Sequence, residues 1–151
     1  GKTIVSISDV DQWGFAEAGS VDVVLTFRNV HNLWWDDQVM DFFLAAHDAL
    51  KAGGVLGVVD HRAPAGADLT ALKAGHTGYI TEAEVIRIAR NAGFKLAQKS
   101  EINANPKDDT DHPKGVWTLP PSFALGDQDR DRYAAIGESD RMTLKFVKVA
   151  R

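Results

Sequence analysis

The chain has 151 residues, 44% of them apolar and 25% charged, an ordinary balance for one globular domain with its own core. Its formal net charge is −4 and no Lys/Arg-rich run interrupts it, which gives no electrostatic case for binding nucleic acid or an anionic membrane. Cysteine is absent, so disulfides and thiolate metal sites are excluded, and no apolar run approaches the ~20 residues of a membrane-spanning helix.

The chain opens GKTIVSISD, without an initiator Met or a signal-peptide pattern, and this suggests that something upstream has been cut away. Lys2 to Ile7 reads as a short strand ending at Ser8-Asp9, followed by a loop through Gly14 and Gly19-Ser20. Val21–Phe27 is almost entirely apolar and β-branched, the pattern of a parallel strand covered on both faces, with Asp22 near its start. Val39, Phe42, Phe43, Ala46, Ala49 and Leu50 then recur at spacings of three and four, which predicts an amphipathic helix with Gly53 as its C-terminal cap. Gly54–Val59 is a second buried strand, so the stretch from Val21 forms a βαβ unit with a right-handed crossover.

Residues 60–79 are rich in Gly, Ala and Pro and read as a loop or lid carrying His61, His76 and Tyr79. The clearest helix start follows, where Thr81 and Glu84 form a T-x-x-E capping box with Ile80 and Val85 as a hydrophobic staple. Val85, Ile88, Ala89 and Ala92 supply its buried stripe and Gly93 ends it. Phe94–Ile102 and Met142–Val149 both read as strands. Between them lies an excursion over 103–141 that holds four of the five prolines and many of the acids, with a short helix around Asp127–Ile136. Excursions of this length are more often functional or mobile than inert.

Chemistry-bearing residues gather where the two buried strands run out. Arg28, Asn29 and His31 follow the first, and Asp60 and His61 end the second, which is its neighbour in the sheet. Ligands of open α/β sheets sit beyond the carboxyl ends of the strands, so these residues are predicted to share a cleft. His31 reads either as a general base, its ordinary pKa of about 6.5 suiting the role, or as a hydrogen-bonding group in the loop. Asp60 and His61 suit acceptor binding or acid–base work. Two His with an Asp also match a metal site in composition, but no H-x-x-x-H or H-E-x-x-H spacing occurs, and no metal is expected. His76 and Tyr79 are read either as closing over substrate or as a surface loop with one packed aromatic. Trp13, Trp34, Trp35 and Trp117 are read first as core or interface packing and second as a pocket wall. A hydrolase is disfavoured, because no G-x-S-x-G elbow is present.

Three motifs together resemble the C-terminal half of class I S-adenosylmethionine-dependent methyltransferases. SISDVDQWGFAEAGSVDVVLTFRNVHNL is similar to the run from the adenine-contacting acid to strand four, its FRNVHN tail resembling members of ubiquinone and menaquinone biosynthesis. LKAGGVLGVVDH resembles the L-K-P-G-G turn and strand five, with Ala52 where Pro is common, and GYITEAEVIRIARNAGFKL resembles the helix-and-strand module that follows. The tail segments INANPKDD and MTLKFVKV are similar to a group of bacterial methyltransferase-like proteins of unknown substrate, whose members often carry secretion signals.

The resemblance implies an α/β, Rossmann-like methyltransferase sheet lacking its first strands, mostly parallel with an antiparallel last strand. It implies S-adenosylmethionine as cofactor, a small-molecule acceptor, and either a cytoplasmic or a periplasmic home. Under it Asp9 accepts from the adenine amine, the Val10 N–H faces the ring, Phe27, Arg28 and Asn29 line the cofactor pocket, and His31, Asp60 and His61 serve the reaction. The G-x-G-x-G loop and the ribose-binding acid have no counterpart in this sequence. The expectation is therefore a single partial domain that binds cofactor weakly or not at all by itself. The competing expectation is a non-catalytic module that forms a homodimer through the sheet edge at Val21–Phe27.

Overall fold

The structure, a computed structural model, describes residues 13–14 and 16–149. The predicted strand at Lys2–Ile7 and the residues Asp9 and Val10 lie outside these. A five-stranded sheet forms the frame. Strand β1 (Val21–Phe27) runs parallel to β2 (Leu50–Ala63), and β5 (Arg141–Lys148) lies antiparallel between β2 and β4 (Phe94–Ser100). The two-residue β3 (Ile80–Thr81) adds parallel pairing to the far end of β2. The sequence-predicted architecture, parallel with an antiparallel last strand, is the observed one.

Helices α1 (Val30–Trp35), α2 (Val39–Ala49) and α4 (Glu82–Asn91) share one core with the sheet. Phe43, Ala46, Leu56, Val58, Ile88, Leu144 and Phe146 are buried there, and Phe43 meets Phe94 edge-on at 6.4 Å. The alternation along β2 follows directly: Leu56, Val58 and Asp60 face the helices, while Val55, Gly57 and Val59 face the other way. On that second face Val23, Leu25 and Phe27 of β1 are 51%, 59% and 61% exposed. The expectation that β1 is covered on both faces is thus corrected: among the described residues only one face is covered.

Three local predictions change for physical reasons. Gly53 does not cap α2, which ends at Leu50 in extended conformation; its φ of +74° instead serves a register shift where Val21 pairs with Leu50 and Val23 with Val55. The segment 60–79 is not all loop, because β2 continues to Ala63 and Asp68 caps a helix α3 (Leu69–Gly75) by accepting from the Thr70 and Ala71 N–H groups. The segment after Phe27 is helical as well. Arg28 takes a left-handed φ of +50°, donates its N–H to the Val59 carbonyl at 2.8 Å, and turns the chain into α1.

The capping box behaves as predicted on one side only. Thr81 Oγ1 accepts from the Glu84 N–H at 3.2 Å, but the Glu84 carboxylate turns to Arg87, which donates Nε and Nη2 to its two oxygens at 2.7 Å each. Replacing Thr81 with Ala is expected to cost about 1 kcal/mol, measured by urea unfolding, because a single helix-start donor loses its partner.

The excursion between β4 and β5 is tied down at many points. A 3-10 turn covers Gly115–Thr118, and α5 (Arg130–Ile136) lies close to the sequence-predicted helix. Asp108 is the main anchor: its carboxylate accepts from Tyr79 Oη, from the Thr110 and Asp140 N–H groups, and pairs with His112 Nε2 at 2.8 Å. Arg62 forks onto Asp140 and Glu101 and so ties the end of β2 to both ends of the excursion.

Candidate functional site at the carboxyl ends of β1 and β2

Parallel pairing of β1 with β2 brings Phe27 opposite Val59, so the residues after each strand emerge side by side. The side chain of Asp60 is fully buried there. Its Oδ2 accepts from the His31 backbone N–H at 2.8 Å, and its Oδ1 from the His61 N–H at 2.8 Å and from His31 Nδ1 at 2.7 Å. A carboxylate can only accept, so His31 Nδ1 carries a proton, and in the neutral ring Nε2 is the bare nitrogen. His61 packs against His31 with ring centroids 5.1 Å apart, and its Nδ1 shares a 2.5 Å hydrogen bond with Ser139 Oγ.

Both imidazoles line a cavity of about 310 Å³. Phe27, Arg28 and Asn32 contribute from the β1 side, and Trp117, Pro120, Pro121, Ser122, Glu138 and Arg141 from the excursion and the start of β5. Trp117 meets His31 edge-on at 6.2 Å and lies tilted against Trp35 at 5.7 Å.

Burial lowers the pKa of His61 to about 4. The neighbouring His31 ring and the Arg141 and Arg28 guanidiniums push the same way, while Asp60 opposes them. His61 is therefore neutral in the fold at pH 7. Its folded pKa lies below the unfolded value of 6.5, so the unfolded chain binds the extra proton first and stability falls as pH drops through 6.5 towards 4. Between pH 7 and pH 5 this group should remove roughly 2 kcal/mol. The depressed carboxyls of Asp140 and Glu84 act below this window. Urea unfolding at pH 7 and pH 5 checks it, and His61→Gln should flatten the slope.

The structure brings His31, Asp60 and His61 together, with one donor atom of each within 4.8 Å of the others, despite the absence of any metal-type spacing in sequence. Both Asp60 oxygens are already engaged, so the cluster is built as an oriented imidazole pair with its Nε2 atoms available. Phe27 and Arg28 line the same cavity, and Asn29 precedes α1 with its Oδ1 accepting from Asn32 Nδ2. His76 does not join them: it packs 5.0 Å from Trp35 beside a separate groove with Trp34 and Lys73. Tyr79 is fully buried and anchors the excursion, so it is no lid residue. Of the tryptophans, Trp117 walls the cavity, Trp34 is core, and Trp13 meets Phe42 edge-on at 5.6 Å.

Sequence reasoning missed Ser139, Glu138 and Arg141. They carry no motif and reach the site only because β5 inserts between β2 and β4, placing His61 opposite Arg141.

No protein-family model matches the chain, and no curated protein does. Solved structures do match. A methyltransferase from Methanosarcina mazei, described as S-adenosylmethionine-dependent, aligns over 100% of this chain and 69% of its own, with 10% identity and a TM-score of 0.62. The [4+2]-cyclase SpnF aligns over 97% of this chain and 56% of its own, with 17% identity and a TM-score of 0.57. A TehB-like S-adenosylmethionine-dependent methyltransferase from Corynebacterium glutamicum aligns over 95% and 55%, with 16% identity and a TM-score of 0.53. The chain spans little more than half the length of the last two. A cyclase among methyltransferases illustrates that a shared fold does not fix the chemistry. The fold of this chain is the Rossmann-like sheet of the class I S-adenosylmethionine-dependent methyltransferases.

Proposed function

We propose that this chain is the acceptor-binding portion of an S-adenosylmethionine-dependent methyltransferase acting on a small molecule. The carrying observation is the buried Asp60 that holds His31 with Nε2 bare, at the carboxyl ends of two parallel strands, in a cavity on this fold. In this reading His31 is the general base. Its Nε2 takes the proton of an acceptor hydroxyl or N–H as that atom bonds to the methyl carbon, and Asp60 stabilises the imidazolium that results. His61 is the neutral neighbour that orients the acceptor. S-adenosylmethionine supplies a sulfonium methyl, and the carbon–sulfur bond electrons leave with sulfur. Phe27, Arg28 and Asn29 would meet it along one side, with Asp9 and Val10 at its adenine.

The described residues contain no glycine-rich loop between a strand and a helix start, and β1 is one of the two outer strands of their sheet, with β4 the other. Together with the greater length of the similar structures, this supports reading the chain as a fragment whose cofactor loop lies elsewhere. Calorimetry with S-adenosylmethionine tests it. The protein encoded by the complete reading frame should bind, and these 151 residues alone should bind far more weakly. No heat from the complete protein at millimolar cofactor would overturn the reading.

A second reading rests on the uncovered face. Val23, Leu25 and Phe27, with a groove of about 370 Å³ over Val55, Gly57 and Val59, form an apolar surface of the kind that recruits a partner. It makes the chain a non-catalytic module that dimerises or swaps through β1. Light scattering decides: a concentration-independent monomer removes this reading, and a dimer dispersed by Leu25→Lys supports it.

A further inference from the structure

The cavity beside His31 is charged as well as aromatic. Arg28 and Arg141 both line it, and both are close enough to disfavour the proton on His61. The negative charges do not balance them evenly. Asp60 is spent on His31 and on the His61 N–H. Glu138 pairs with Arg141 through Nη1 at 2.5 Å. The Nε of Arg141 is buried and has no hydrogen-bond partner. A buried donor without an acceptor is destabilising unless something supplies the acceptor. The Arg28 side chain has no carboxylate partner among the described residues. Trp117, Pro120 and Phe27 line the same cavity and add apolar surface to it. The volume of about 310 Å³ suits one ring with its substituents.

We propose that the acceptor bound in this cavity is a small aromatic hydroxy acid, its carboxylate held between Arg141 and Arg28 and its hydroxyl directed at His31 Nε2. The proposal rests on reading the cavity as the acceptor site. It also gives the two cations a part in the chemistry. A bound carboxylate offsets the positive field of Arg28 and Arg141 around His61, which raises the proton affinity of that ring when the acceptor is seated. Guanidinium suits this role because its planar donor fork matches a carboxylate in one plane.

The test needs no cofactor and uses the protein encoded by the complete reading frame. Calorimetry is run with 3-hydroxybenzoate, with the neutral isostere 3-hydroxybenzamide, and with phenol. The acid should bind at least ten times more tightly than the amide. Arg28→Gln should lose about tenfold in affinity for the acid, roughly the 1.4 kcal/mol of one charge-assisted contact, and leave the amide unchanged. Arg141→Gln should do the same; because its Nε is buried, Arg28→Gln keeps the test open if that variant fails to fold. Glu138→Gln should move the other way and tighten the acid several-fold, since it removes the competing carboxylate. In the proton spectrum the His61 ring should titrate at higher pH with 3-hydroxybenzoate bound. Equal affinity for acid and amide, or a Glu138→Gln variant that binds the acid no better, overturns the anionic class while leaving the acceptor site standing. If none of the three probes binds, the acceptor site falls as well. The cofactor calorimetry answers separately for methyl transfer.

Discussion

Asp60→Asn should lower stability by about 2–3 kcal/mol and reverse the tautomer of His31. The wild-type carboxylate accepts from three donors, two of them backbone N–H groups, in a site that excludes water. An amide of the same shape has one acceptor oxygen and an NH2 group. Whichever way it turns, its NH2 group faces a backbone N–H: that of His31 in one orientation, and that of His61 in the other, where it also donates to His31 Nδ1. In the second case the imidazole proton moves to Nε2, and the bare nitrogen that faces the cavity is lost. Urea unfolding reads the stability, and nitrogen-15 shifts of the His31 ring read the tautomer. In the complete protein the same substitution should cut methyl transfer by about 10²–10⁴-fold, the usual weight of a positioned base. A tautomer unchanged from wild type, with stability within about 0.5 kcal/mol of it, would remove Asp60 from the role assigned to it.

Gly115→Ala should be at least as damaging, for a steric reason. Gly115 has a φ of +53°, and a Cβ built there would lie 2.0 Å from the Thr77 carbonyl oxygen and 2.6 Å from the Thr77 carbonyl carbon. Both obstacles are backbone, held by the Val116 N–H donating to that same oxygen at 2.9 Å. Gly78 mirrors the arrangement, with a φ of +84° and a position where an added methyl would sit 2.4 Å from Val116 Cγ2. Two passes of chain therefore touch through two glycines, and neither can retreat without releasing the 3-10 turn that carries Trp117. The expected loss is about 3 kcal/mol or more. Loss of hydrogen-exchange protection at Val116 and release of Trp117 from the cavity should accompany it. Gly126→Ala is the control, since it shares a positive φ of +65° but meets nothing within 4 Å. It should cost only the conformational strain of about 1 kcal/mol. Equal losses at Gly115 and Gly126 would show that the close approach carries no stability.

These two residues mark the limit of what the linear chain reveals. Asp60 was identifiable as a candidate because it ends an apolar run next in the sheet to the one before His31, and parallel pairing makes such ends neighbours. Its three acceptances were not, because they depend on how α1 starts after the left-handed turn at Arg28. Gly115 attracted no notice. Its demand for a missing Cβ comes from Thr77, a contact between loops that no periodicity encodes.

The sequence by itself determined the elements with strong local patterns: the apolar strands β1 and β2, the three-and-four stripe of α2, the Thr81 cap, and alternation along β5. It also determined the fold class, since strand, helix and strand in that order admit few arrangements. Local patterns suffice there because each element's apolar face is written in its own residues. Only the tertiary structure decided that one sheet face is uncovered among the described residues, that Tyr79 is an anchor, and that Ser139 and Arg141 stand over His61. Those facts follow from the return path of the excursion and the antiparallel insertion of β5. Contacts between residues 78 positions apart, such as His61 with Ser139, leave no trace in the spacing of either.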